Sequence, residues 1–316
     1  MRAISQDVLG GPEVLKEIDL PVPTPGPTEV LVRVHAAGVN PTDWKHRSGG
    51  YFLGQPPFVL GWDVSGVVEA VGVGVSLYQP GDEVFGMLRY PFSNGAYAEY
   101  VTAPSRTFVP KPAGVDHVQA GALPLAALTA WQALVDTAGL RSGQRVLIHA
   151  AAGGVGHLAV QIAKARGAYV IGTASAAKHD FLRSLGADEL IDYRTQDFAT
   201  AVKDVDVVLE TIGGDYGQRS LETLRPGGTL VSIALSRQDG ELAAKAEARG
   251  MRVAGMLVEP DYAAMKAIAA LVEAGRLRAE IAAVLPMEEA DKAHELGETG
   301  RTAGKIVLEI GPSAKK

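Results

Sequence analysis

The chain has 316 residues, which is long enough for two domains that each bury a hydrophobic core. Its 47% hydrophobic and 21% charged residues are usual for a soluble globular protein, and its net charge of −6 argues against a nucleic-acid groove. It has no cysteine, which excludes disulfides, thiolate nucleophiles and zinc sites built from cysteine. It shows no basic leader and no apolar run of about 18 residues, so we expect a cytoplasmic protein without a membrane span.

The first hundred or so residues favour β-structure. Residues 30–36 alternate between apolar and other side chains, and residues 66–71 form a strand bounded by glycines. Clusters of proline and glycine separate such segments, as turns between strands do. We therefore predict a β-rich domain over residues 1–117.

The pattern changes near residue 118, where a helix over residues 119–138 leads into strands that alternate with helical stretches. Such alternation implies right-handed crossovers and a parallel sheet. The sequence therefore predicts an α/β domain with a doubly wound parallel sheet over residues 118–260. Its predicted strands are 145–150, 169–174, 189–193, 205–210, 228–234 and 252–258.

The last part of the chain, residues 261–316, returns to mixed elements. It begins with a helix, continues with a strand at 281–285 and a helix at 287–296, and ends with a strand at 305–310. We expect this tail to complete the first domain, which then comprises 1–117 together with 261–316.

The most informative segment is a glycine-rich turn within residues 145–157. An apolar strand ends in this turn, and a helix with an apolar side begins at once. Small residues let backbone N–H groups approach a pyrophosphate, and the helix N-terminus adds partial positive charge. Ala151 stands where the strict dinucleotide fingerprint has its first glycine, while Gly153 and Gly156 fill the other two positions. A merely tight strand–helix turn is the alternative. The residues expected to hold the pyrophosphate are Ala152, Gly153, Gly154 and Val155.

The end of the second parallel strand distinguishes NADPH from NADH. An NAD site usually places a carboxylate there to bind the ribose 2′-hydroxyl. This chain has no acid until Asp180, whereas Ser175 and Lys178 can donate to a 2′-phosphate. Tyr193 ends the next strand and is expected to reach the same pocket. We therefore predict NADPH as the cofactor, with a solvated helix position as the alternative for Lys178.

Other cofactor contacts are expected where later strands end, because open α/β sheets bind ligands at their carboxyl ends. This reasoning selects Thr211 and Ile212 after the fourth strand and Leu235 after the fifth. Met256, in the sixth predicted strand, is expected to cover the nicotinamide. Arg301 and Lys305 are candidates for the 2′-phosphate, with surface charge as the alternative for both.

Six short motifs are spread along nearly the whole chain. They are Ala37-Gly-Val-Asn-Pro-Thr-Asp43, Gly61-Trp-Asp-Val-Ser-Gly-Val-Val68, Gly81-Asp-Glu-Val-Phe-Gly86, Gly95-Ala-Tyr-Ala-Glu-Tyr100, Ala151-Ala-Gly-Gly-Val-Gly156 and Gly304-Lys-Ile-Val-Leu308. Together they resemble the medium-chain dehydrogenase/reductase superfamily, in its zinc-free quinone oxidoreductase branch. The resemblance implies a Rossmann cofactor domain and a β-rich, GroES-like catalytic domain. The motifs do not specify the substrate.

The chain departs from the zinc-dependent alcohol dehydrogenases at their metal ligands. Those enzymes have Cys where this chain has Asn40, and His-Glu where it has Trp62-Asp63, and their four-cysteine lobe is missing here. Asn40 and Trp62 cannot replace thiolate and imidazole as zinc ligands. Without a Lewis acid a simple ketone is hard to polarise, whereas a conjugated acceptor spreads the incoming charge itself. We therefore predict a metal-free NADPH-dependent reductase of quinones or α,β-unsaturated carbonyl compounds.

The resemblance also implies roles for single residues. Asn40 is expected to contact the ribose or nicotinamide of the cofactor and to take part in catalysis, with a turn residue before Pro41 as the alternative. Related enoyl reductases place a tyrosine eleven residues after this asparagine, which makes Tyr51 a candidate acid or substrate anchor; packing under a loop is the alternative. Trp62 is expected to line the substrate pocket or to pack in the core, and Thr129 to lie near the nicotinamide or phosphate.

Two alternative functions remain open at this point, and a homodimer is the expected assembly. An enoyl-thioester reductase has the same scaffold, and a non-catalytic NADPH-binding structural, sensor or RNA-binding protein is the second rival, although the acidic charge weakens its RNA-binding form. We also expect a homodimer through strand 252–258, because an apolar strand at a sheet edge invites pairing. His46 is interpreted as a solvent-exposed loop residue.

Overall fold

A computed structural model describes residues 1–92, 95–234 and 239–311. The chain divides into two compact units. Unit 1 comprises Met1–Leu128 and Glu259–Lys316, and unit 2 comprises Thr129–Val258. None of the described helices is long and apolar enough to cross a membrane.

Unit 1 is built mainly from antiparallel strands. Its strands are β1 (Arg2–Gln6), β2 (Lys16–Asp19), β3 (Glu29–Val39), β4 (Phe58–Val59), β5 (Asp63–Val71), β6 (Glu83–Met87), β7 (Tyr100–Pro104), β8 (Phe108–Pro110), β15 (Ile281–Pro286) and β16 (Lys305–Glu309). One sheet runs in the order β15-β16-β3-β5-β6-β8, with β7 also paired to β3, and a smaller sheet runs β2-β1-β4. Strand β16 pairs antiparallel with β3, so the end of the chain joins the first domain's sheet.

The helices of unit 1 begin and end at residues suited to helix termini. They are α1 (Pro41–Gly49), α2 (His117–Gly121), α9 (Tyr262–Glu273) and α10 (Ala290–Glu298). Helix α1 has a proline at its first position, where the missing N–H has no partner to lose, and ends at Gly50 with φ 70°. Asp261 caps α9 because its carboxylate accepts from the N–H groups of Ala263 and Ala264.

Unit 2 is a six-stranded parallel sheet with helices. Its strands are β9 (Arg145–Ile148), β10 (Tyr169–Ala174), β11 (Glu189–Asp192), β12 (Val205–Glu210), β13 (Leu224–Ser232) and β14 (Arg252–Gly255). Its helices are α4 (Gly156–Ala165), α5 (His179–Ser184), α6 (Phe198–Ala201), α7 (Tyr216–Ser220) and α8 (Asp239–Ala248), while α3 (Pro124–Trp131) crosses the boundary between the units along the chain. The strand order β11-β10-β9-β12-β13-β14 reverses direction between β9 and β12. This order confirms the predicted doubly wound sheet and places the switch point beside the glycine-rich turn.

Several predicted bounds differ from the structure: the strand expected over 228–234 is Leu224–Ser232, and the helix expected over 287–296 has α10 at Ala290–Glu298. Two further differences have a local explanation. The helix expected over 119–138 is broken, because Pro124 has no N–H to continue an earlier helix and begins α3 instead. After α3 the chain continues as a π-helical segment, Gln132–Thr137. The sixth strand, expected over 252–258, ends at Gly255, because its neighbour β13 ends at Ser232, the register partner of Gly255.

Candidate functional site

The glycine-rich turn follows β9 directly and is held by backbone hydrogen bonds. The N–H of Ala151 donates to the carbonyl of Thr173 on β10 at 3.0 Å, and the N–H of Gly153 donates to that of Ala150 at 2.8 Å. Ala150 has φ 44°, a left-handed conformation that is uncommon outside glycine. The turn therefore reverses sharply between β9 and α4.

The turn also explains why alanine is tolerated at its first fingerprint position. A Cβ added to Gly172 on β10 would lie 2.9 Å from the Cβ of Ala151, so the missing side chain at 172 leaves the space that Ala151 fills. A Cβ added to Gly156 would lie 2.3 Å from the carbonyl oxygen of Ala150, so this position needs glycine. The departure at 151 is therefore compensated on the neighbouring strand.

The turn offers unused donors where a phosphate would bind. Within the described part of the chain, no acceptor lies in hydrogen-bonding range of the N–H groups of Ala152, Gly154 and Val155. These donors stand at the N-terminus of the ten-residue helix α4, whose dipole favours negative charge. The arrangement fits the pyrophosphate of a dinucleotide.

The residues expected at the 2′-phosphate lie at one edge of the sheet. Ser175 and Lys178 share one turn after β10, in which the N–H of Lys178 donates to the carbonyl of Ser175 at 2.9 Å. Ala174 on β10 is the register partner of Asp192 on β11. Ser175 and Tyr193 therefore follow paired residues of adjacent strands, which brings them to the same end of the sheet.

The later strands end at the same edge. The hydroxyl of Thr211 donates to the carbonyl of His149 at 2.9 Å, and the side chain of Ile212 is exposed. The N–H of Met256 donates to the carbonyl of Ser232 at 3.0 Å, which holds it beside the end of β13. Leu235 lies outside the described residues. The cofactor contacts of Thr211, Ile212 and Met256 stay predictions.

Glu210, which sequence reasoning missed, organises the end of β12. Its buried carboxylate accepts from the N–H groups of Ile212 at 2.5 Å and Gly213 at 2.7 Å through Oε1. Its Oε2 accepts from the hydroxyl of Ser232 at 2.9 Å. A charged residue that follows the apolar run Val207-Val-Leu209 at the end of the strand was the available signal. Glu210 thus fixes the loop that carries Thr211 and Ile212.

His149, at the end of β9, is a second missed residue. Its Nδ1 lies 3.2 Å from the hydroxyl of Thr173, and its Nε2 lies 2.9 Å from that of Ser220. The ring also packs edge-on against Phe198 and Tyr216. Burial lowers the pKa of His149 to about 3, so the imidazole is neutral and serves structure.

In unit 1, a buried polar network includes Asn40, which stands where the related zinc-dependent dehydrogenases have a zinc ligand. The amide of Asn40 donates to Oδ2 of Asp63 at 2.8 Å, and its Oδ1 accepts from the ammonium of Lys305. The Lys305 ammonium lies 3.5 Å from Asp63 and donates to the carbonyl of Val39 at 3.0 Å. Burial raises the pKa of Asp63 and lowers that of Lys305, and their mutual attraction opposes both shifts.

The network corrects one prediction and constrains others. Lys305 was wrong as a 2′-phosphate ligand, because its side chain is 2% exposed and its ammonium is bound to Asp63, Asn40 and Val39. Asn40 is also 2% exposed and stands at the N-terminus of α1, the turn position given as its alternative. Its cofactor contact stays a prediction, as does that of Arg301, which is exposed between α10 and β16.

A second buried chain of polar groups begins at Asp43. Its Oδ2 accepts from the N–H of Asn40 at 2.6 Å and from the hydroxyl of Tyr97 at 3.0 Å. The Tyr97 hydroxyl also lies 3.2 Å from His294, whose other ring nitrogen lies 3.1 Å from Arg47. Oδ1 of Asp43 has no partner among the described residues. Burial raises the pKa of Asp43 to about 7.

An aromatic cluster lies beside this network. Trp62 is 1% exposed, its ring N–H donates to the carbonyl of Phe92 at 3.0 Å, and its ring centroid lies 5.0 Å from that of Tyr90. The structure therefore favours core packing over pocket lining for Trp62. His46 was misjudged as a solvent-exposed loop residue, because it lies in α1 and is 2% exposed. Tyr51, by contrast, is 65% exposed and has φ 31°.

Thr129 is buried in α3, and its contact with a cofactor stays a prediction. Among the residues that the structure describes, no group of three or more carboxylate or imidazole side chains is arranged to hold a metal ion.

Replacing Asp43 by Asn should make folding stability less dependent on pH. The folded protein holds a proton on Asp43 up to about pH 7, whereas an unfolded chain loses it near pH 4. The free energy of unfolding should therefore fall as pH rises from 5 to 8, by about 2 kcal/mol from this group.

Urea unfolding of the unmodified protein and of Asp43→Asn at both pH values measures the difference. Asp7→Asn, an exposed change just after β1, serves as the control and should follow the unmodified protein. If the free energy of unfolding of Asp43→Asn falls between pH 5 and pH 8 by as much as that of the unmodified protein, Asp43 is already ionised at pH 5.

Comparison with known proteins agrees with this architecture. The family model of the alcohol dehydrogenase GroES-like domain matches residues 26–113, and that of the zinc-binding dehydrogenases matches residues 185–308. The first match confirms the predicted GroES-like domain.

Three known proteins show the extent of the similarity. A 2-haloacrylate reductase from Burkholderia sp is 36% identical, covering 95% of this chain and 96% of the relative. The solved quinone oxidoreductase from Coxiella burnetii is 40% identical with a TM-score of 0.92, covering 98% of this chain and 99% of that one. The solved Escherichia coli quinone oxidoreductase complexed with NADPH is 30% identical with a TM-score of 0.87, covering 98% and 100%. The chain belongs to the medium-chain dehydrogenase/reductase superfamily of oxidoreductases, in its quinone oxidoreductase branch.

Proposed function

We propose that the protein is an NADPH-dependent, zinc-independent reductase of quinones or α,β-unsaturated carbonyl compounds. The observation that carries the proposal is the turn after β9, whose unused N–H groups at the start of α4 fit a pyrophosphate. The similarity to quinone oxidoreductases and to a 2-haloacrylate reductase, whose named substrate contains a conjugated double bond, supports a conjugated acceptor. In this proposal unit 2 binds the cofactor and unit 1 contacts the acceptor.

The chain's own residues bind, orient and protonate. The N–H groups of Ala152, Gly154 and Val155 hold the pyrophosphate, while Ser175 and Lys178 donate to the 2′-phosphate. NADPH, when bound, supplies the hydride. The phenol of Tyr51 donates to the acceptor's carbonyl oxygen or protonates the enolate carbon. Its exposure leaves it accessible to an acceptor.

The buried network supports the zinc-free part of the proposal. Asn40 is bonded to Asp63 and Lys305, and Trp62 donates to a backbone carbonyl, so both former ligand positions already have protein partners. An amide and an indole N–H are also poor donors for zinc. The acceptor must therefore stabilise the incoming negative charge through its own conjugation.

A panel of acceptors tests the function directly. The protein is mixed with NADPH and with quinones, enones, enals or enoyl thioesters, and the loss of NADPH absorbance is followed. The assay is repeated after the protein has been dialysed against a strong chelator. We expect turnover of quinones or enones that survives dialysis. Turnover confined to enoyl thioesters would favour an enoyl-thioester reductase. Micromolar NADPH binding without turnover of any acceptor would favour a non-catalytic protein. Stoichiometric zinc whose removal abolishes activity would refute zinc independence.

Replacing Lys178 by Ala should weaken NADPH binding by roughly tenfold or more and leave NADH binding unchanged, because a charge-assisted contact to the 2′-phosphate is lost. Fluorescence titration with each cofactor measures both affinities. Lys245→Ala is the matched control, since Lys245 is an exposed lysine in α8 that pairs with Glu241. Equal affinities of the unmodified protein for NADPH and NADH would contradict the predicted preference.

Replacing Tyr51 by Phe should lower enone turnover by about 10²-fold, the range for a general acid or one oxyanion donor. Quinone reduction should suffer less, because the acceptor ring delocalises its own charge, and NADPH affinity should hardly change. Tyr169→Phe, a half-exposed tyrosine at the opposite end of β10, is the control. Enone turnover within about twofold of the unmodified protein would assign the proton to water.

We also propose a homodimer that forms through β14. This strand is at the edge of the parallel sheet and pairs with β13 alone among the described strands. Antiparallel pairing with a second copy would satisfy its free backbone groups and close the assembly. Light scattering at micromolar concentration should give twice the 33.1 kDa chain mass. A monomer would refute the proposal.

A further inference from the structure

The imidazole of His46 has one nitrogen engaged and one without a partner. Its Nδ1 lies 2.7 Å from the backbone carbonyl of Thr42, one helical turn earlier in α1. A carbonyl oxygen only accepts, so Nδ1 carries the proton in this contact. In the neutral ring, Nε2 is then an acceptor that faces away from Nδ1 and its bond to the helix backbone.

The unpartnered nitrogen is buried. In residues 1–92, 95–234 and 239–311, no hydrogen-bonding atom reaches Nε2 of His46. Burial, with a smaller effect of Lys45, lowers the pKa of His46, although the Thr42 carbonyl opposes the shift. The ring is therefore neutral near pH 7, and Nε2 can take a hydrogen bond but not give one. Buried acceptors usually have a donor, so a missing partner needs an explanation.

Aromatic rings surround the imidazole. Its centroid lies 5.2 Å from that of Trp62, 6.1 Å from that of Tyr90 and 5.9 Å from those of both Tyr51 and Phe52. Trp62 is buried, whereas Tyr51 and Phe52 are 65% and 60% exposed. Two of the four rings around the imidazole are therefore exposed, and exposed rings suit the face of an aromatic ligand.

We propose that Nε2 of His46 accepts a hydrogen bond from the hydroxyl of a hydroxyaromatic ligand, a phenol or hydroquinone, that packs against Tyr51 and Phe52. The inference deepens the proposed function and rests on it, because it takes this place as the acceptor site. A quinone has no O–H to donate, whereas the hydroquinone formed by its reduction has two. His46 therefore favours the reduced compound, and hydroquinones should inhibit as products.

Calorimetry with the full-length protein in the absence of NADPH tests the binding. The probes are hydroquinone and 1,4-dimethoxybenzene, which keeps the ring and the oxygens but has no hydroxyl donor. We expect the unmodified protein to bind hydroquinone roughly tenfold more tightly than the ether, as one hydrogen bond to a buried acceptor provides. Equal affinity for the two probes would overturn the proposal without any variant.

Two variants separate ligand binding from structure. His46→Asn places an amide N–H near the position of Nδ1 and removes Nε2, so the bond to Thr42 can persist while the preference for hydroquinone disappears. His46→Gln reaches the position of Nε2 with an amide oxygen and should retain most of the preference. An unchanged preference in His46→Asn would overturn the proposal. If that variant fails to fold, loss of the preference in a folded His46→Gln variant would also count against it.

The outcome is distinguishable from failure of the proposed function. Turnover of conjugated acceptors is measured separately with NADPH. Hydroxyl-selective binding without turnover would retain the His46 site and refute the reductase. Turnover without hydroxyl selectivity would retain the reductase and refute the His46 site.

Discussion

The structure of unit 1 depends on one buried ammonium group. Lys305 begins β16, near the end of the chain, and its ammonium contacts the end of β3 at Val39, the start of α1 at Asn40 and the start of β5 at Asp63. Removing one partner of a buried ion pair typically costs about 3–5 kcal/mol, because the other charge is left uncompensated. The last strand is thus fixed to β5 by charge and to β3 by backbone pairing and the hydrogen bond to Val39. The same contacts hold Asn40 at the N-terminus of α1, and they thereby position α1 and the aromatic side chains that pack against it.

Unit 2 depends instead on the alignment of strand ends. Parallel register brings the ends of β9 to β12 to one edge, where every loop leaves its strand with polar backbone groups to satisfy. Glu210 satisfies the N–H groups of Ile212 and Gly213 from within the protein, and His149 contacts the hydroxyls of Thr173 and Ser220. The N–H groups of the glycine-rich turn have no acceptor among the described residues, which marks that turn as the place for an anion. This edge can bind an anion because the protein satisfies the N–H groups of one loop itself and leaves those of the glycine-rich turn available to a ligand.

The sequence was sufficient for the architecture and for the edge of unit 2, because both follow from local patterns. Apolar strands alternating with helices predicted the sheet, and counting from strand ends predicted Ser175, Tyr193 and Thr211. Lys305 was misassigned, since nothing local shows that a lysine ending a glycine turn is buried against Asp63. The burial of His46 was missed for a similar reason: it depends on aromatic side chains from three separate chain segments. Polar contacts between residues far apart in the chain leave no periodic pattern in the sequence from which they could be predicted.

The ion pair also bears on the chemistry open to unit 1. A cation can polarise a carbonyl, but the charge of Lys305 is balanced by Asp63 and buried. Asp43 lies in the same network, and at a pKa of about 7 its carboxyl group is partly neutral near neutral pH. The polar groups that hold α1 are therefore poor electrophiles, which agrees with the proposed use of an acceptor that delocalises negative charge itself. In the proposed reaction the exposed phenol of Tyr51 is the donor, and the neutral imidazole of His46 accepts a hydrogen bond from the hydroxyl that forms. The proposed substrate class thus follows from the same ion pair that stabilises unit 1.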